Sequence, residues 1–170
     1  FDFRYYKDIY IVKTNLNGAA LWQKTHGNEY LEKGTDIVAK ENGGYIIAGE
    51  ICDHEYNIYS CDNRSKVMLL EIDENGNSNQ ETILNNLYFF EAGSPISISN
   101  TSNSGYVFVS KPKNNGSTWF YKWGQNESSI DLKLDNAGFG GESIEMAEDG
   151  GFIIGTSGST IIKTNQELSF

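Results

Sequence analysis

The sequence predicts an all-β protein built from a repeated antiparallel unit, and three observations carry that expectation. A small turn opens into an aromatic-led apolar run three times: Glu41-Asn42-Gly43-Gly44-Tyr45-Ile46-Ile47, Ser102-Asn103-Ser104-Gly105-Tyr106-Val107-Phe108 and Glu148-Asp149-Gly150-Gly151-Phe152-Ile153-Ile154. The copies lie 61 and 46 residues apart, a spacing that suits a stack of supersecondary units. The composition agrees: 18 Gly, only 2 Pro and 13% aromatic residues suit short strands joined by tight turns.

The elements follow in order. Near the N-terminus Ile11-Val12-Lys13-Thr14 runs into the turn Asn15-Leu16-Asn17-Gly18, and Leu21-Trp22-Gln23-Lys24 supplies the returning strand. In each repeat Ile37, Ile98 or Ile144 stands eight residues before the aromatic and marks a first strand. Gly34, Pro95 and Gly141, eleven residues before it, break the chain where it enters the unit. Asn-Gly, Ser-Gly and Asp-Gly supply the positive φ that a two-residue hairpin demands, so a second strand begins at each aromatic. A third strand with its own turn follows at Leu69-Leu70-Glu71-Ile72-Asp73-Glu74-Asn75-Gly76, with degenerate copies from Phe120 and from Ile161. Ile130-Asp131-Leu132-Lys133 supplies a fourth.

This scheme gives two strands at the N-terminus, four in Thr35 to Leu84, four in Ile96 to Leu134 and three from Ser143 onward, thirteen in all. Four short antiparallel strands per unit of about 40 to 60 residues is the pattern of a β-propeller blade. The expected fold is therefore a single β-propeller-like repeat domain over residues 1–170, holding a partial blade at 1–28, blades at 34–84 and 94–134, and a partial blade at 141–170. A closed ring needs roughly four blades, or about sixteen strands, to hide its edges. The expectation is thus a fragment or open segment of about three and a half blades, or a ring completed by another molecule.

The runs Trp22-Gln23-Lys24-Thr25-His26-Gly27, Gly34-Thr35-Asp36-Ile37-Val38 and Gly43-Gly44-Tyr45-Ile46-Ile47-Ala48-Gly49 together resemble the repeat of secreted or lipid-anchored bacterial propeller-like proteins. The first repeat matches well, the second and third progressively less, and the three cover most of the chain. The resemblance implies export, as a secreted, periplasmic or cell-surface lipoprotein, and it carries no catalytic residue with it. The opening Phe1-Asp2-Phe3-Arg4-Tyr5-Tyr6 is neither an initiator methionine nor a signal peptide, which suggests a processed or truncated product.

A net charge of −10 and a pI near 4.6 repel phosphate backbones and anionic lipid, so nucleic acid is not an expected partner. Lys111 to Lys113 reads as a solvated loop. The longest apolar run, Val67 to Leu70, is strand-sized, and no direct membrane insertion is expected.

The longest loop between second and third strands, Ile51 to Lys66, is where a repeat scaffold places specificity. Its Cys52 and Cys61 are expected to form a disulfide, since export favours oxidation. Asp53, His54 and Glu55 in the same loop offer a binding surface; together with Asp62 they could be read as metal ligands, but no spacing enforces convergence and a solvated acidic loop is the default. Asp73-Glu74-Asn75-Gly76-Asn77 has some of the alternation of a calcium loop, but the alternation breaks at Gly76 and Asn15-Leu16-Asn17-Gly18 looks like the same turn without the acid. Trp119, Tyr121 and Trp123 alternate along one strand and so share a face, which suits either stacking on a sugar or partner or filling the wedge between blades.

Catalytic signatures are few. Asn114-Asn115-Gly116-Ser117-Thr118-Trp119 is similar to the aspartate box of sialidase-type propellers, with Asn114 in place of the aspartate and Pro112 in place of the leading serine. Arg4 and Arg64 are too few for a sialidase arginine cluster. His26 reads as a loop residue before Gly27, neither it nor His54 adjoins a nucleophile elbow, and the 23 acids make carboxylate pairs uninformative without geometry. Sequons begin at Asn63, Asn100, Asn115 and Asn126 and matter only in a eukaryote.

The expected function is a non-catalytic binding or interaction module with no cofactor, taking a protein or glycan partner or associating with itself through open blade edges. The alternative is a glycan-cleaving propeller enzyme with its active site on loops partly outside this chain. A quinoprotein propeller is a third reading, because those also use tryptophan-rich blades.

Overall fold

The computed structural model describes residues 7–52, 65–89, 97–102, 104–110, 118–124, 127–134, 141–157 and 160–166, with the backbone alone at 85–89, 110, 118–119 and 127–134. The chain divides into two compact units, Phe1–Ala92 and Gly93–Phe170. Among the described residues there is no helix, and all strands within sheets are antiparallel.

The first unit holds a hairpin, β1 (Ile9–Thr14) with β2 (Ala20–His26), and a four-stranded meander, β3 (Leu31–Ala39), β4 (Tyr45–Cys52), β5 (Ser65–Ile72) and β6 (Ser78–Phe89). The second holds a four-stranded meander, β7 (Ser97–Asn100), β8 (Tyr106–Ser110), β9 (Thr118–Gly124) and β10 (Glu127–Leu134), and a three-stranded one, β11 (Gly141–Met146), β12 (Phe152–Thr156) and β13 (Ile161–Thr164). The all-β expectation holds, and so does the grouping of strands into sets of two, four, four and three.

The turns differ from expectation in an informative way. Two-residue hairpins were the expectation; instead three residues separate each closing pair. Asn15 and Ala19 close one turn, through Asn15 N–H to Ala19 O at 2.9 Å and Gly18 N–H to Asn15 O at 3.0 Å. Lys40/Gly44, Asp73/Asn77 and Ala147/Gly151 close theirs with the same pair of bonds, and Thr101 N–H reaches Gly105 O at 2.9 Å. The third loop residue is left-handed throughout: Gly18, Gly43, Gly76 and Gly150 at φ 79 to 88°, and Ser104 at φ 61°. This is the type I turn with a following αL residue that forms a bulge.

The second glycine of the repeated pair has a further purpose, although Gly44, at φ 83°, is itself left-handed as well. A Cβ on Gly44 would stand 2.3 Å from the Ile72 carbonyl oxygen, on Gly151 2.1 Å from that of Thr164, and on Gly105 3.0 Å from that of Trp123. In all three repeats the carbonyl belongs to the third strand or its end. The second strand starts so close to the third that only a missing side chain admits it.

Each unit has its own apolar core. In the first, Ile47, Ile51, Met68, Leu70 and Ile72 of the meander pack with Ile9, with Ile11, Trp22, Tyr30, Tyr45 and Ile83 partly buried against them. Ile46, Ala48, Val67 and Leu69, on the opposite face of β4 and β5, are buried too, which explains why these strands read as continuous apolar runs. In the second, Val107, Val109 and Phe120 pack with Ile144, Phe152 and Ile154. There the two sheets are also tied by hydrogen bonds: Ser97 Oγ accepts from Ile144 N–H at 3.2 Å and Ser99 Oγ from Met146 N–H at 3.0 Å.

Candidate ligand cleft

Within the first unit, among the described residues, β1 pairs in its sheet with β2 alone and β3 with β4 alone, so each leaves one edge without a described strand along it. Just before β1 a parallel bridge joins Lys7 to Leu31, with Glu32 N–H donating to Lys7 O at 2.7 Å, and Ile9 of β1 lies against Gly34 of β3, where a Cβ would stand 3.2 Å from Ile9 Cγ2. Beyond that bridge a cleft of about 720 Å³ opens, lined by the unbroken runs 7–12 and 32–37 with Ile47 behind them. Successive residues of a strand point to opposite faces. A cavity lined by unbroken runs from two strands therefore lies along their edges rather than over one face.

The chemistry of the cleft centres on Glu32. Its side chain is 2% exposed, and neither carboxylate oxygen has a hydrogen bond of good geometry. Burial pushes its pKa up to about 7, the Asn28 backbone amide draws it partly back, and the charges of Asp8 and Glu81 raise it further. A buried acceptor-only group without a well-placed donor is costly, which is why protonation is favoured. Asp8, exposed, lies against Gly27, where a Cβ would come within 2.5 Å of its Oδ1. Tyr10 stands at the outer part of the cleft, 61% exposed, its hydroxyl donating to Gln23 Oε1 at 2.8 Å. His26 is a strand residue at the end of β2, not a loop residue, and its Nε2 is buried without a hydrogen bond.

The sites expected from sequence fare differently. Asp53, His54, Glu55 and Cys61 lie outside the described residues. Cys52, at the end of β4, is disulfide-bonded. Trp119, Tyr121 and Trp123 lie opposite Ser110, Phe108 and Tyr106 in the β8–β9 register, so the three alternate onto one face. The side chain of Trp119 lies outside the described residues. Tyr121 is 7% exposed and stacks on Phe108 at 4.9 Å and 22°, so it is not available as a sugar platform. Trp123 is half-buried and tilts at 31° against Tyr106, 5.7 Å away.

The Asp73 segment is a hairpin turn. Asp73 Oδ1 accepts from the amides of Asn75 at 2.9 Å and Asn77 at 2.8 Å, and Oδ2 from Asn77 Nδ2 at 3.0 Å. Asn15 Oδ1 makes the same two backbone bonds, to Asn17 and Ala19. The Asn77 side chain, then its amide, hold the Asp73 carboxyl below the ordinary aspartate value. Among the described residues no group of three or more His, Cys, Asp or Glu side chains converges as a metal site.

Sequence reasoning passed over Glu32. One acid among 23 carries no mark of burial, although its place beside Leu31 at the start of a strand was a usable signal. No protein-family model matches the chain, and no curated protein aligns with it significantly.

Proposed function

We propose that the chain is a non-catalytic binding module on an exported bacterial β-propeller-like scaffold, with the β1–β3 cleft as its ligand site. The observation that carries this reading is Glu32, a buried carboxylate without a hydrogen bond of good geometry at the wall of an open cleft. Burying such a group uncompensated destabilises the free protein, and a bound donor would relieve that cost. The meander order of each sheet and the shared turn geometry of β1–β2 and β5–β6 support the propeller-like reading. The disulfide at Cys52 supports an oxidising compartment.

One observation favours the alternative of a glycan-cleaving enzyme. A carboxyl raised to about 7 beside an exposed second acid, Asp8, is the pairing that a general acid and its partner carboxylate use. The two readings separate in one experiment, in which the 170-residue protein is screened against glycans and peptides for both saturable binding and product. Binding without turnover supports the module. Product formation that disappears in Glu32→Gln would replace it with the enzyme.

A further inference from the structure

We infer that the cleft accepts an extended basic peptide, whose main chain adds as a strand to the free edge of β1 and whose ammonium or guanidinium group reaches Glu32. The inference rests on the binding reading above and names the ligand class.

The internal repeat places a strand there. The β1–β2 turn and the β5–β6 turn share their closing bonds, their Asx acceptor and a left-handed glycine at φ 79°, so β1 is the counterpart of β5. Strand β5 is flanked by β4 on one side and β6 on the other, whereas among the described strands β1 has β2 alone. The edge of β1 that faces the cleft is thus the edge that, in its counterpart, carries a strand. A two-stranded sheet is marginal in water, and addition of a third strand is its ordinary remedy.

The side chains fit the same occupant. Tyr10 and Val12 lie two residues apart on one face of β1 and are 61% and 43% exposed, a pair that an adjoining strand would cover with its own apolar residues. Glu32 supplies the charge complementarity. It is buried, is a pure acceptor when ionised, and has no hydrogen bond of good geometry, while Lys7 and Lys33 at the rim are exposed. A cationic nitrogen brings several donors to such a carboxylate and forms the stronger, charge-assisted class of bond. A glycan could hydrogen-bond Glu32, but it has no regular alternation of N–H and C=O to match a strand edge. Extended main chain has that alternation.

The probe is a capped seven-residue peptide of alternating valine and lysine, titrated at pH 8 into the isotopically labelled 170-residue protein. The expected result is saturable binding with slowed amide exchange across Ile9–Thr14. Glu32→Gln, and independently norleucine in place of lysine in the peptide, should each weaken binding by about tenfold or more. Alternate N-methylation of the peptide should abolish it. Affinity should fall between pH 8 and pH 6 as Glu32 takes up its proton, with Asp8, Glu81, Lys7, Lys33 and Asp36 as the charged groups around it. Absence of binding overturns the inference, as does binding that leaves the β1 amides unchanged or is indifferent to lysine. The peptide-side substitution decides the matter even where Glu32→Gln alters folding. If the peptide fails and a glycan binds at the cleft, the module stands and the peptide inference falls; if nothing in either panel binds, both fall.

Discussion

Trp22 donates its indole N–H to the carbonyl of Glu74 at 3.0 Å, and the edge of its ring lies over Gly76, where a Cβ would meet Cζ3 at 2.8 Å. One side chain of β2 thereby ties the hairpin to the β5–β6 turn, with Lys24 Nζ to Asn77 Oδ1 at 3.3 Å alongside. Gly18 occupies the equivalent turn position with the same φ and nothing within 4 Å. The two glycines therefore separate backbone strain from crowding. Gly18→Ala should cost about 1 kcal/mol, the penalty of a left-handed alanine. Gly76→Ala should cost about 2–4 kcal/mol, because the indole must also move. Chemical denaturation of both variants checks this, and equal losses would mean that Trp22 yields freely.

The glycine before each aromatic should respond to any side chain at all. Gly44→Ala and Gly151→Ala each push a methyl into a carbonyl oxygen of the neighbouring strand; a loss of about 2–3 kcal/mol is expected for Gly151→Ala and about 1 kcal/mol more for Gly44→Ala, whose φ of 83° adds left-handed strain. Gly43→Asn, at the left-handed position with open space around it, should stay within about 0.5 kcal/mol of the parent. Thermal melts of the three proteins side by side test the contrast.

Glu32 should give the protein an unusual pH dependence. Its ordinary value is 4.5 and its folded value about 7, so between these the folded state holds a proton that the unfolded chain releases. Stability from this group is greatest below about pH 4.5, declines as pH rises toward 7 and levels off above it. After allowance for water in the open cleft, the decline should be on the order of 1–2 kcal/mol. Asp73 and Asp149 act in the opposite sense. Their carboxyls are held below the ordinary 3.8 by Asn77 and by Lys163 respectively, so their contributions are lost only as pH falls below that range. Denaturation from pH 4 to 8 should show the slope in the parent and its loss in Glu32→Gln.

Ser97→Ala and Ser99→Ala remove the acceptors for Ile144 and Met146 N–H. Each should cost about 1 kcal/mol. Hydrogen exchange should quicken at those two amides and not at the β12–β13 pairs, which are bonded independently.

Much of the scaffold was legible because its turns are written in residues with narrow backbone preferences. Asn15 and Asp73 share the acceptor that folds back on the turn, and the glycines three residues on share the φ that closes it. The loop length differs from the two-residue expectation for a physical reason: the turn needs its left-handed residue only at Gly43 or Gly150, and the next glycine makes room for a carbonyl, Gly44 also being at positive φ while Gly151 is not. Alternation correctly placed Tyr121 and Trp123 on one face. It could not reveal that Tyr121 is buried, since burial depends on what packs against that face. The cleft was illegible for the same reason. It exists because 7–12 and 32–37 lie edge to edge across an intervening hairpin, and no local pattern encodes that neighbourhood.

The serine hydroxyls of β7 have one more consequence. A strand with a bare row of amides is a template onto which other chains can grow into fibrils. At Ile144 and Met146 the outward amides of β11 are already occupied from within the molecule by Ser97 and Ser99. An incoming strand would have to displace two hydroxyls before it gained a bond there. Protection against templated aggregation at this margin is thus obtained with two small polar side chains.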